Sequence, residues 1–139
     1  MTQLDITQRP HPVDNKTTVS SPTLLQKCFA EFIGTYCLVF SGTGAIVVDS
    51  ITHQVTPVGV AMVFGLIVMA LIYAFGHVSG AHFNPAVTIG FVVAGEMRLV
   101  DAPLYIAAQM AGAVCASCTL VIMFGNVHYL GATIPSSSW

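Results

Sequence analysis

The chain has 139 residues, of which 55% are hydrophobic and 7% charged, with a mean hydropathy of +0.79 and a net charge of −2. That composition excludes an ordinary soluble domain, and the length sets a single domain as the expectation. Without a run of Lys or Arg there is nothing to hold nucleic acid, and so small a charge imbalance selects neither an acidic nor a basic partner.

Met1 to about Pro22 carries Arg9, Lys16, three prolines and many Ser and Thr, without the charged, then apolar, then small-residue layout of a signal peptide. It reads as a disordered tail. The first apolar run, about Cys28 to Val48, has the roughly 20 residues that a hydrocarbon core of about 30 Å requires. Glu31 sits one turn inside it. A carboxylate there either snorkels to water or faces a partner or a polar cavity, and a polar loop opening on the same side favours the second. Gly42 and Gly44 lack the strand and third glycine of a nucleotide loop and read as helix-packing positions.

The second span, about Pro57 to Phe75, starts with proline near its first turn and carries Ala61 and Gly65 four apart, a small-residue face open to another helix. Gly76, Ser79 and Gly80 are expected to break it. The stretch GHVSGAHFNPAVTIGF, Gly76 to Phe91, then starts a new helix: Asn84 is a good N-cap and Pro85 suits the first helical position. From Asn84 to about Ala94 the chain is apolar but only half a bilayer crossing long. Since PAVTIGFVVA shows no strongly polar face, a half-helix buried among other helices is predicted rather than a surface helix.

The third span runs from about Ala102 to Phe124, with Asp101 as N-cap and Pro103 in its first turn. Ala108, Gly112 and Ala116 form a close-packing seam. Gln109 either hydrogen-bonds a neighbouring helix or braces the loop before Asn84. Residues 126–139 read as an extracytoplasmic loop with no fourth span. Lys and Arg fall before the first span (Arg9, Lys16, Lys27) and after the half-helix (Arg98), with none in DSITHQVT, which puts the N-terminus and the Arg98 loop in the cytoplasm. Cys28, Cys37, Cys115 and Cys118 lie in or beside apolar runs and pack as small hydrophobes, so the C-x-x-C of Cys115 and Cys118 is assigned no metal or redox role.

Irregular backbone at membrane depth survives only where it lines protein or a watery cavity. The run Ser79 to Phe83 is therefore expected to line a path. If it is extended, the carbonyls of Gly80, Ala81 and His82 form a ladder of acceptors for a polar solute. Asn84, its oxygen held by the helix start, offers its NH₂ as a fixed donor. The half-helix N-terminus, with about half a positive charge, repels cations and hydronium. The competing reading is that a Pro/Gly break merely divides two helices of a bundle.

SGAHFNPAVT, with AEFIGT in the first span, GLIVMALIYAFGHVSG in the second and AAQMAGA in the third, resembles the aquaporin or major intrinsic protein family, from about Leu24 onward. The resemblance implies an all-α membrane fold of six spans and two half-helices, built from two inverted repeats whose Asn-Pro-Ala ends meet at mid-membrane, assembled as tetramers with one pore per subunit. This chain is similar to the first repeat, three transmembrane helices plus one re-entrant half-helix over residues 23–125, and lacks the second Asn-Pro-Ala and the arginine after it. It is expected to be either a fragment of a longer channel or the product of a half-length gene.

The family's motif maps onto Asn84, Pro85 and Ala86. Phe64, twenty positions before Asn84, matches the aromatic position of the outer constriction, where phenylalanine resembles narrow water channels. Leu38 and Val68 match apolar pore-wall positions. Glu31 matches the first-span glutamate that steadies the loop near His82, and His77, His82 and Gln109 fit loop bracing or the cytoplasmic vestibule; the family uses no metal. The resulting expectation is a passive plasma-membrane channel for water and small neutral solutes that excludes protons and ions, homotetrameric when complete, with no cofactor. No nucleophile, base and orienting group occur together, so no enzyme is expected. The alternatives are a glycerol, ammonia or metalloid facilitator, or a non-conducting helix bundle associating with a full-length relative.

Overall fold

The structure is a computed structural model and describes residues 21–132. The expected N-terminal tail, apart from Ser21 and Pro22, lies outside the described residues, as does the end of the C-terminal loop with Trp139. Among the described residues the chain forms α1 (Leu24–Thr52), α2 (Thr56–Ser79), α3 (Pro85–Val93), α4 (Ala102–Phe124) and a 3₁₀ turn, His128–Gly131, with no strand. Three of these helices are long and apolar enough to cross a membrane. At 1.5 Å per residue α3 reaches about 14 Å, less than half of a hydrocarbon core of about 30 Å.

Local chemistry sets the helix ends. Thr23 Oγ1 accepts from the Gln26 N–H at 3.3 Å while Gln26 Oε1 accepts from the Thr23 N–H at 2.8 Å, a reciprocal capping box that starts α1 a turn earlier than the apolar run predicts. At the other end His53 is left-handed (φ 54°), and Asp49 Oδ1 accepts from the N–H groups of Val55 (3.1 Å) and Thr56 (2.8 Å). One carboxylate thus staples the turn into α2. The helix α2 continues through Gly76, which does not break it, and stops at Gly80 with φ 91°. A lone glycine costs a helix only about 1 kcal/mol, whereas a left-handed residue ends it. The Asp101 carboxylate does not cap α4: it takes two hydrogen bonds from Arg98, from Nε at 2.7 Å and Nη2 at 2.8 Å. A bidentate, charge-assisted pair outcompetes a single N-cap bond.

The first helix is the hub, packing on α2 along one side and on α4 along another, while α3 lies against α4. Between spans there is no hydrophobic drive, since lipid is as apolar as leucine, so association rests on close approach and buried hydrogen bonds. Gly112 supplies the approach: a Cβ there would collide with the Phe32 carbonyl and lie 3.1 Å from the Tyr36 nitrogen. Gly112 and Ala116 of the predicted seam are buried and Ala108 half-buried. Gly42 accommodates the ring of Phe64 from α2, and Gly44 meets Leu120 of α4. By contrast Ala61 and Gly65 are exposed, and nothing lies within 4 Å of where a Gly65 Cβ would be.

Candidate functional site

The loop from α2 to α3 is not the extended ladder anticipated from its small residues. Gly80, Ala81 and Phe83 all have positive φ, 91°, 54° and 49°. For alanine and phenylalanine that conformation costs about 1–2 kcal/mol each, so something must hold it. The holder is Glu31 of α1, wholly buried. Its Oε1 accepts from the Ser79 hydroxyl (2.6 Å) and the His82 N–H (2.9 Å); its Oε2 accepts from the Phe83 N–H (2.6 Å) and Gln109 Nε2 (2.8 Å). Four donors fill the acceptor positions of a carboxylate. The buried charge is thereby compensated without a cation, and consecutive backbone amides of the loop are clamped to the first span.

Around this clamp a second layer closes. Gln109 Nε2 also donates to Thr88 Oγ1 at 2.9 Å, Thr88 Oγ1 lies 3.1 Å from His82 Nδ1, and the Tyr105 hydroxyl donates to the Ser79 carbonyl at 2.9 Å. The His82 ring stacks on Phe91 with centroids 4.3 Å apart. Phe83 drops its ring onto Gly34 of α1, where a side chain would occupy the same space. The Gln109 and Thr35 oxygens, Oε1 and Oγ1, are buried without partners among the described residues.

Beyond the clamp the chain turns into α3. Asn84 is extended (φ −155°), its Oδ1 accepts from the Ala86 N–H at 2.8 Å, and Pro85 stands at the first helical position. Asn84 itself is exposed, as is Gly80, while Ala81 and Pro85 are half-buried and His82 and Phe83 buried. The amide oxygen is spent on the helix start, so the exposed end of the side chain is the NH₂ donor.

The structure thus brings together Glu31, His82 and Gln109, and the Asn84, Pro85 and Ala86 turn that follows them. It does not bring His77 into the brace: that residue is exposed in the last turn of α2 and makes no side-chain hydrogen bond among the described residues. Leu38 and Val68 are half-buried on α1 and α2, and Phe64 is half-buried against Gly42. Sequence reading named Ser79 as a breaker and the start of the path-lining run but not as a partner of Glu31, and it missed Thr88 and Tyr105. One signal was available, since Asp101, Tyr105 and Gln109 recur every fourth residue as a polar stripe on an otherwise apolar helix.

The sequence pattern of the family described as "Major intrinsic protein" matches residues 18–138. The chain is 48% identical over 122 residues to Aquaporin NIP1-1 of Zea mays, covering 86% of this chain and 43% of that protein. It is 50% identical over 117 residues to Aquaporin NIP1-4 of Oryza sativa subsp. japonica, covering 84% and 43%, and 39% identical over 128 residues to Nodulin-26 of Glycine max, covering 91% and 47%. The chain therefore spans less than half the length of these curated relatives.

Proposed function

Because the chain belongs to the major intrinsic protein family, an integral-membrane family of channels and not of enzymes, we propose that it supplies the first repeat of a passive pore for water and small neutral solutes. The helices have the arrangement of the N-terminal half of an aquaporin fold. One observation carries the reading. A buried carboxylate fixes a strained, irregular loop before a half-helix whose N-cap residue, Asn84, exposes an amide donor. Backbone of this kind is tolerated at membrane depth only beside protein or water.

In this reading Asn84 orients a passing water through its NH₂, and the carbonyls of Gly80, Ala81 and His82, presented by a left-handed turn rather than by an extended run, accept from it. The positive end of α3 opposes cations and protons. Phe64 narrows the outer end, with Leu38 and Val68 as apolar wall. Residues Glu31 and Gln109 do not touch the solute; they hold the loop. The pore lies in the plasma membrane with the N-terminus cytoplasmic, an orientation that Lys27 and Arg98 at one end of the bundle support, and the complete channel assembles as a tetramer. The open Ala61 and Gly65 face of α2 supports a further helix packing there.

The test is osmotic permeability. The chain joined to the second repeat of a NIP aquaporin should, in proteoliposomes followed by stopped-flow light scattering, shrink vesicles faster than protein-free controls. Permeability equal to the controls for well-folded protein would reject the channel reading.

A further inference from the structure

Thr35 Oγ1 and Gln109 Oε1 are enclosed by the chain without a hydrogen-bond partner among the described residues, on side chains 5% and 1% exposed. Bare polar atoms in an interior are costly, because each has given up its bonds to solvent. Their surroundings show what each lacks. Gln109 Nε2 gives its two hydrogens to Glu31 Oε2 at 2.8 Å and Thr88 Oγ1 at 2.9 Å. Turning the amide round would set its oxygen against the carboxylate, so Oε1 stays in place and needs a donor. Thr35 has a hydrogen to offer. Thr43, Thr52 and Thr119 each donate to the carbonyl four residues back on their own helix, at 2.6, 2.9 and 2.9 Å, whereas Thr35 makes no such bond to Glu31.

The two atoms belong to one seam. Glu31, which holds Gln109, and Thr35 stand one turn apart on the same face of α1. Gly112 packs on the turn from Phe32 to Tyr36 that contains Thr35, and Gln109 lies one turn before Gly112 on α4. No direct bond joins the hydroxyl to the amide oxygen. A group that completes both has to accept from one, donate to the other and fit where no surface is open. A metal cation accepts no hydrogen bond and a halide donates none, whereas water does both. We propose that one water molecule is built into the seam between α1 and α4, accepting from Thr35 Oγ1–H and donating to Gln109 Oε1. It ties the far end of the carboxamide whose nitrogen braces Glu31. This chain alone encloses the site, so it fills whether or not a completed pore conducts.

The test is a crystal structure of the whole chain, grown from lipid mesophase and diffracting well enough to show ordered solvent, paired with melting in detergent. One ordered water should lie about 2.8 Å from both oxygens. Thr35→Val keeps the shape of the side chain and removes its hydroxyl. It should erase that density and lower the melting temperature by a few degrees, since the water loses an anchor and Gln109 Oε1 its donor. A hydroxyl that is merely unpaired gives the opposite sign: its removal relieves a buried polar atom and leaves melting unchanged or raised. The proposal is overturned by the absence of a water bridging the two oxygens, by density that persists in Thr35→Val, or by a Thr35→Val protein that melts at the same temperature or higher.

Discussion

Glu31 Oε2 accepts the backbone N–H of Phe83 at 2.6 Å, so a carboxylate of the first helix fixes a residue whose φ of 49° an L side chain rarely adopts. The two residues are also joined through space, because the Phe83 ring rests on Gly34, one turn along α1 from Glu31. Polar and apolar contacts thus converge on the same residue, and the strain in the loop is over-determined rather than relieved.

Glu31→Gln keeps the shape but replaces two acceptor oxygens with one acceptor and one donor. The new NH₂ must face either Ser79 and His82 or Phe83 and Gln109, leaving donors opposed to a donor at about 1–3 kcal/mol each. The expected result is a lower melting temperature in detergent and faster modification of a cysteine placed at Ala81. Unchanged melting and labelling would remove Glu31 from the clamp.

Substituting Gly112 and Gly65 separates packing inside the bundle from packing outside it. Gly112→Val forces a methyl-bearing carbon into the Phe32 carbonyl and should cost about 1–3 kcal/mol. Gly65→Val meets nothing within 4 Å and should leave the stability of this chain within about 0.5 kcal/mol. In a completed channel the same Gly65→Val should reduce the tetramer fraction in cross-linking, as a blocked helix face would.

The Phe64 ring rests on Gly42, so if Phe64 narrows the proposed pore, the width there depends on both residues. Phe64→Ala in the completed channel should raise glycerol uptake relative to water. Gly42→Ala should alter the same ratio with residue 64 intact, since the new methyl displaces the ring. An unchanged ratio in both would place selectivity elsewhere.

The pair of Arg98 and Asp101 gives a pH dependence outside the membrane. The hydrogen bond from the guanidinium, and then its charge, hold the Asp101 carboxyl below its ordinary value of 3.8, and the same bond raises Arg98. A depressed carboxyl contributes its stability above the unfolded-state value and loses it as pH falls through the lower folded value. The protection of amides at the start of α4, their exchange relative to the intrinsic rate at each pH, should thus be constant from neutral pH down to about 5 and fall only below the ordinary aspartate range, and Asp101→Asn should abolish that acid step.

Much of this was legible in the chain itself. The three apolar runs are long enough to cross a bilayer, and Asn84 followed by Pro85 announces a helix start whose cap bond is present at 2.8 Å. Elsewhere local rules misled because a stronger partner stood nearby. Asp101 has the composition of an N-cap but its carboxylate is taken by Arg98, and Gly76 has the composition of a breaker but lies inside α2. His77 and His82 look alike in sequence. Only His82 is buried in the brace, because the left-handed turn at Gly80 carries the chain inward after His77 has been left on the surface.

By itself the sequence determined that the protein lives in a bilayer, where its helices start, and that one of them is too short to cross, since these depend on composition and on neighbours a few residues apart. Tertiary structure alone decided the shape of the loop. Its left-handed residues are unfavourable locally and exist because Glu31, some fifty residues earlier, meets Ser79, His82, Phe83 and Gln109 at one point. No local propensity encodes that meeting; it follows from α1 lying close to α4 at Gly112, where only the absence of a side chain lets the backbones approach.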